Sequence, residues 1–518
     1  MDPLLLGVDI GTTAVKAVVI DLGGRTLAIG SEEYLTHHIA PDWVEQDPED
    51  WWHAVISVIR QVVSAVPAAR ESVAAIAVSA QAPTLLPVDA RGRPLRNALI
   101  WMDRRAEAEA RYLERTLGFS TITSLTGNRP DPFYVAPKLL WLSRHEPKVF
   151  SETHLFLQIT GFINHRLSGE YSLDTAHAGL LLLREASGAW SPQLCSACDV
   201  EPGRFPPVHD GHTIIGNVTR GTAELIGLRP GIPVCAGTVD GAAAALEAGA
   251  VDPGTAAEMT GTSTVLIMPA PLKIVEPAFI TMPHALPARR LLLGAMTSTG
   301  ASLRWFLDQF GDMERQTARA RGTDPFDELV ALAASVPPGN DGLVFLPYMM
   351  GERSPIWNTG ARGVLSGLSL ATTKGAIVRA ILEGSAFALR HNLEVAARAG
   401  LAIGAVRSVG GGARSKLWNQ IKADVLGRTI LLPESAVGAA FGSALPAGVG
   451  AGLLPSSGEA FARRVRIREH FEPNTENHRR YTDLYAVFRD SYERLKTCFD
   501  ETSRLRAAWT PSVLIKPR

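Results

Sequence analysis

A carboxylate, a turn of small hydroxyl residues and a lysine stand close together near the start of the chain, in Asp9-Ile10-Gly11-Thr12-Thr13-Ala14-Val15-Lys16. Gly11 lets a ligand approach the backbone, the turn offers N–H and hydroxyl donors, Lys16 adds charge, and Asp9 could hold a metal-bound water. Phosphate with Mg²⁺ is the guest this chemistry suits, although the same residues also suit an ordinary three-stranded edge of an α/β sheet. A second turn of the same kind, Gly261-Thr262-Ser263, lies inside AAEMTGTSTVL. Asp240 follows the apolar run GIPVCAG and precedes an Ala-rich stretch, so it stands where a strand meets a helix. A carboxylate there can take a proton from a substrate or cap the helix. Gly410-Gly411-Gly412, followed by Lys416, opens another strand-to-helix turn, suited to something flat such as an adenosine diphosphate or simply to a flexible loop. Cys195 and Cys198 form one CxxC, but Cys235 and Cys498 stand apart, so a zinc–thiolate site lacks its other ligands. No Walker A, GxGxxG, HExxH or GxSxG pattern occurs.

These residues need elements to hold them. Leu4 to Ile10 and Ala14 to Ile20 are apolar, β-branched runs bounded by turn residues, and with the stretch to Tyr34 they predict a β-meander. Asp47-Pro48 predicts the start of a helix in which Trp51 and Trp52, like Trp43 before it, serve packing. Further strands are predicted over Val73 to Ser79, Gly231 to Gly237 and Val406 to Val409, and helices over Asp103 to Leu117, Pro137 to Arg144, Ala242 to Ala250 and Leu417 to Leu426. The alternation is α/β. At 518 residues and 46% hydrophobic content the chain supports two domains, and the recurring strand–turn–strand unit sets the second one's start near residue 245. Lys plus Arg (51) balance Asp plus Glu (52), which gives no field to recruit nucleic acid or an anionic membrane. Few cysteines, no secretory leader and no apolar run of spanning length point to the cytoplasm.

GVDIGTTAVKAVV, TVDGAAAALEAG, MTGTSTVL, LPYMMGERSPIWNTGARGVLSGL and GGGARSKLWNQIKADVLGRTI occur in an order and at spacings that resemble the FGGY family of carbohydrate kinases, its xylulokinases first and its gluconokinases next. The resemblance runs from about residue 4 to about 490. It implies two ribonuclease-H-like domains of the actin and hexokinase type (1–245 with the sugar and first phosphate loop, 246–490 with the nucleotide, then a tail over 491–518), with ATP and sugar in the cleft between them. It also implies ATP and Mg²⁺ as cofactors and leaves a homodimer open.

Carried over residue by residue, Gly11, Thr12, Thr13 and Lys16 match the first phosphate loop, with Asp9 on the metal through water. Gly261 and Thr262 match the second loop, Gly300 and Arg304 fall near the nucleotide, and Gly411, Gly412 and Lys416 fall at the adenosine loop. Asp240 matches the general base. The sugar pocket departs from the family: Gln81 is followed by Ala82-Pro83 where xylulokinases carry Met-His, Gly241 replaces an Asn or Gln, and Phe133 stands where glycerol kinases use tyrosine. Lost polar handles change which hydroxyl pattern is accepted. Trp101 and Asp103 remain at the matching edge, Asp103 as a hydroxyl ligand. Arg104 suits either an acid such as gluconate or, with Arg105, a solvated helix face. The expected activity is phosphorylation of a small sugar, a ketopentose in the first place and an aldonate or polyol in the second. The alternative of another class is a non-catalytic actin-like ATPase or sugar-responsive regulator, which keeps the phosphate turns without needing Asp240.

Overall fold

Leu, Val and Ile, with Asp9 the one ionisable residue among them, make Leu4–Ile10 a strand buried on both faces, and it lies at the centre of the first sheet. It pairs antiparallel with Ala14–Asp21, which pairs antiparallel with Thr26–Glu33, giving the meander expected from the turn residues. On its other side it pairs in parallel with Val73–Ala80, and that strand carries Pro233–Cys235 and the short Thr238–Val239, also in parallel. Ile214–Asn217 closes that edge. The helix Pro48–Ala65, its N-terminus capped by the Asp47 side chain, packs on the two outer meander strands, while Ala439–Gly450 packs on the two central ones. That second helix comes so close that a Cβ at Gly7 would strike the Ala440 carbonyl oxygen, and only glycine fits.

In this computed structural model the described residues are 2–40, 42–434, 437–456, 458, 461 and 464–509. The chain divides into one unit of Met1–Pro253, Ile267–Leu292 and Glu434–Arg466, and another of Gly254–Leu266, Leu293–Pro433 and Ile467–Arg518. Within the second unit Thr255–Thr260, Ala405–Val409 and Thr429–Pro433 run parallel and Ile467–Phe471 closes the edge antiparallel. Lys374–Arg398, Lys416–Leu426 and Thr475–Trp509 pack together beside them. Residues 491–509 continue that last helix, and the rest of the expected tail, 510–518, lies outside the described residues.

Several predicted boundaries move. The helix expected from Asp103 begins at Glu107, because Asp103 accepts hydrogen bonds from Val44 N (2.7 Å) and Arg105 N (3.2 Å) and is held in a turn. The helix expected from Ala242 begins at Asp240 and ends at Ala248, with Gly249 in the left-handed region as its cap. Pro137 to Arg144 widens to Val135–His145, and Gly231 to Gly237 narrows to Pro233–Cys235. Trp51 and Trp52 are buried, and Trp43 lies under the Arg105 guanidinium at 4.1 Å. All four cysteines are free thiols.

Candidate functional site

Strand register builds the candidate site of the first unit. Asp9 is paired with Lys16 on one side and Ser79 on the other, and Ser79 is paired with Thr238, so the four stand in one row across four strands. Asp240 follows two residues after Thr238, at the start of the helix Asp240–Ala248. Ser79 donates to Asp9 Oδ1 at 2.6 Å. Burial, then the charge of Asp240, pushes Asp9 up to about 7 against the pull of Ser79 and Lys16. Burial pushes Asp240 up to about 6, opposed by the Gly241 N–H, from which its own carboxylate accepts at 2.6 Å, and by His177. Glu247, on the same helix, is buried, accepts from Gly438 N at 2.6 Å and is pushed by burial up to about 7. Three carboxylates thus sit where ionisation is costly, which suits a proton acceptor and a neighbouring cation.

The turn beside this row is clamped through its carbonyls. Tyr34 Oη donates to the Gly11 carbonyl, Thr36 Oγ1 (3.2 Å) and Gln46 Nε2 (2.8 Å) donate to that of Thr12, and Tyr34 N donates to that of Thr13 at 3.2 Å. Trp101 Nε1 donates to Thr12 Oγ1 at 3.1 Å. Gln81 is buried, donates to Gln46 Oε1 at 2.7 Å and leaves its own Oε1 without a partner. The next peptide, Ala82–Pro83, is cis. Phe133 is buried edge-on to Tyr134 at 5.0 Å, and Gly241 is buried at the helix start.

Asp103 is fully buried and its oxygens are taken by Val44 N and the Arg105 guanidinium (2.8 Å), surroundings that favour an architectural ion pair over the hydroxyl ligand expected of it. Arg104, partly exposed, pairs with Asp131 at 3.2 Å and with Glu107 at 3.5 Å, so it is not a bare solvated cation.

The second unit carries candidate residues of its own. Gly261 N donates to Ser263 O at 2.9 Å, as Gly11 N does to Ala14 O at 3.0 Å, and no atom lies within 4 Å of where a Cβ at Gly261 would sit. Beneath this turn the hydroxyls of Thr260, Thr264 and Thr299 form a chain with links of 2.8 and 2.7 Å. It ends on Glu258, which is buried with Lys422 and Ser408. Gly300 opens the helix Thr299–Phe310 against the Gly261 carbonyl, and Ala301 N donates to Thr262 O at 2.8 Å. Gly410 has φ +82° and starts a tight turn over Gly411–Arg414, in which a Cβ at Gly412 would meet the Thr260 side chain at 2.7 Å. Arg304 stacks on Phe326 at 4.5 Å, and Lys416 is an exposed residue paired with Glu469 at 2.8 Å.

Sequence reasoning missed Ser79, Glu247 and the pair Asp174–His177. Ser79 was open to a register argument, since a parallel strand ending level with Leu4–Ile10 brings a residue beside Asp9. His177 is fully buried, its Nδ1 is 2.5 Å from Asp174 Oδ2, and its Nε2 has no partner. Its helix, Thr175–Gly179, packs on Thr238–Val239 beside Asp240. Only burial marks it, and nothing in the sequence carried that signal. Among the described residues no group of three or more His, Cys, Asp or Glu side chains could hold a metal ion by itself. A desolvated carboxylate such as Asp9 fits an ion that keeps its waters and its phosphate ligands, as Mg²⁺ does.

The N-terminal domain model of the FGGY family of carbohydrate kinases matches residues 4–247, and the C-terminal domain model matches residues 256–451. Xylulose kinase of Escherichia coli (strain K12) is 31% identical over 496 residues, which span 95% of this chain and 99% of that protein. The crystal structure of xylulose kinase from Rhodospirillum rubrum superposes with a TM-score of 0.89 at 32% identity, covering 96% of this chain and all (100%) of that one. Gluconate kinase from Lactobacillus acidophilus superposes with a TM-score of 0.90 at 23% identity, covering 96% and 99%, a likeness of fold.

Proposed function

Because this chain belongs to the FGGY family of carbohydrate kinases, and is a phosphotransferase that uses ATP and an alcohol acceptor, we propose that its acceptor is a small keto sugar, a ketopentose in the first place, with Asp240 as the general base. The observation that carries this reading is Asp240 itself. It stands at a strand-to-helix junction beside the Asp9 row, with its proton affinity raised to about 6. Phosphoryl transfer needs the acceptor hydroxyl held in line and its proton accepted, and a positioned carboxylate does both. Ionised near neutral pH, Asp240 takes that proton as the hydroxyl oxygen meets the γ-phosphorus.

Gly11, Thr12, Thr13 and Lys16, with Gly261 and Thr262, are the proposed phosphate contacts, and Gly300, Gly411 and Gly412 make room for the rest of the nucleotide. Mg²⁺, held by Asp9 through water, would supply charge neutralisation on the phosphate oxygens. Sugar recognition falls to Gln81, Trp101 and the buried surroundings of Ala82, Pro83, Phe133 and Gly241. His177 Nε2 is on offer beside Asp240 where other handles are missing. The pairing of Arg104 with Asp131 and Glu107 favours a neutral sugar over an aldonate. We propose a cytoplasmic enzyme; no described helix is long and apolar enough to cross a membrane.

A panel of ketopentoses, polyols and aldonates in a coupled ADP-release assay tests the assignment. A neutral ketose should give the highest kcat/KM, with D-xylulose below at least one other acceptor because of Ala82, Pro83 and Gly241. Gluconate as the best acceptor would overturn the substrate class.

A further inference from the structure

Four buried donor atoms that have no partner among the described residues belong to side chains lining one small cavity, which none of the catalytic assignments uses. The cavity, of about 60 Å³, is lined by Arg184, Arg290, Thr281, Thr126, Glu185 and Gly179 among others. Arg290 is 5% exposed, and its Nε and Nη1 have no hydrogen-bond partner. Arg184 Nε and the Thr281 hydroxyl are likewise buried and unpartnered. The backbone presents these groups firmly. Asn128 takes the Thr281 N–H at 2.7 Å and donates to the Thr281 carbonyl at 2.8 Å, so the peptide is clamped and the hydroxyl left over. Arg184 sits at the base of a hairpin closed by Glu185 N to Ala189 O (2.8 Å), with its Nη2 donating to the Gly188 carbonyl.

A guanidinium taken out of water needs both hydrogen-bond acceptors and a countercharge. Among the described residues neither arginine has a countercharge: burial lowers the proton affinity of each, with no carboxylate of those residues acting in the opposite direction. Glu185, the carboxylate in the lining, forms no ion pair with either and lies near Ser187. Arg289, next to Arg290 in the chain, behaves in the usual way, pairing with Asp252 at 2.8 Å. Water in the cavity would satisfy the orphaned N–H groups and leave two positive charges in a poorly solvating place. An anion satisfies both needs, and planar N–H forks match oxygen acceptors arranged as in a phosphate.

We propose that Arg184, Arg290 and Thr281 form a binding site for a phosphate-class oxyanion, either free or as the head of a phosphomonoester. The site goes beyond the kinase assignment and does not depend on it. The test is thermal unfolding of the full chain with a non-hydrolysable ATP analogue at saturation, so that the nucleotide site is already filled. Inorganic phosphate, sulfate and glycerol phosphate are each titrated against chloride at matched ionic strength.

Phosphate and sulfate should raise Tm by a few degrees in a saturable way, and chloride should not. Glycerol phosphate acting like phosphate would show an opening that admits an ester, and its failure beside a phosphate response would assign the site to the free ion. Arg290→Met removes an uncompensated buried charge. In anion-poor buffer it should unfold at or above the wild-type Tm while losing the phosphate increment. Arg184→Gln, on a partly exposed hairpin, reads the same loss should Arg290→Met not fold. A response to none of the oxyanions, or a phosphate increment that survives in Arg184→Gln and in a folded Arg290→Met, overturns the site.

Discussion

Replacing Asp240 by Asn removes the proposed base and little else. The Asn oxygen can still accept the Gly241 N–H that the carboxylate accepts at 2.6 Å, so the helix start and the side-chain orientation are kept. What is lost is the proton acceptor. With its proton affinity raised to about 6, wild-type Asp240 is almost fully ionised at pH 7.5 yet a stronger base than an ordinary carboxylate. General-base catalysis by such a group contributes about 10² to 10⁴ in rate, or about 3–5 kcal/mol of barrier. In an ADP-release assay with saturating acceptor, kcat should therefore fall by about 10² to 10⁴, while KM for ATP stays within about threefold.

The pH profile separates loss of a base from loss of structure. Wild-type kcat/KM for the sugar should drop about tenfold per pH unit below pH ~6, where Asp240 binds its proton. The residual activity of the variant should lack that limb. Near-normal kcat in Asp240→Asn, or a wild-type limb that persists in it, would make Asp240 a cap and displace the proposed chemistry to another group.

Two further outcomes follow from close packing and from burial. Gly412→Val puts a branched side chain where even a Cβ meets Thr260 at 2.7 Å, so KM for ATP should rise about tenfold or more while sugar binding, read calorimetrically without nucleotide, is unchanged; an unaltered KM for ATP refutes the adenosine-loop assignment. Asp9→Asn tests the buried row in the ligand-free protein. Because Asp9 is raised in the folded state to about 7, the stabilisation from holding it protonated is complete below the ordinary carboxylate range and lost as pH climbs through 7, an effect of about 4 kcal/mol. The variant should thus unfold at higher temperature than wild type at pH 8, converge with it only below about pH 4, and lose kinase activity; a lower Tm at pH 8 would refute the desolvation argument.

The strands and turns of the site were legible because local chemistry determines them. The β-branched runs flanking Gly11 and the second such unit around Gly261 became strand–turn–strand pairs, and Asp240 came to the head of a helix. What stayed hidden depends on burial by distant segments. Glu247 in an Ala-rich helix reads as a solvent-facing residue until Gly438, nearly two hundred positions later, covers it and donates to it. Asp103 reads as the first residue of a charged helix until Val44 and Arg105 occupy its oxygens. Arg184 and Arg290 read as ordinary surface cations.

The same physics links the hidden residues to function. Folding tends to pair every buried charge, so a carboxylate or guanidinium left costly in the ligand-free protein marks a position where the fold forgoes stability that a ligand can restore. Glu258 with Lys422, and Glu383 with Arg379 at 2.7 Å, show that this chain does pair buried charges where only architecture is at stake. Among the described residues Asp9, Asp240 and Glu247 are held in no such ion pair, with Lys16 acting on Asp9 and Glu247 and His177 on Asp240, and Arg290 has no acceptor for Nε and Nη1. Within one molecule the contrast marks candidate ligand positions: a cation would relieve the first set, and an oxyanion would relieve the second.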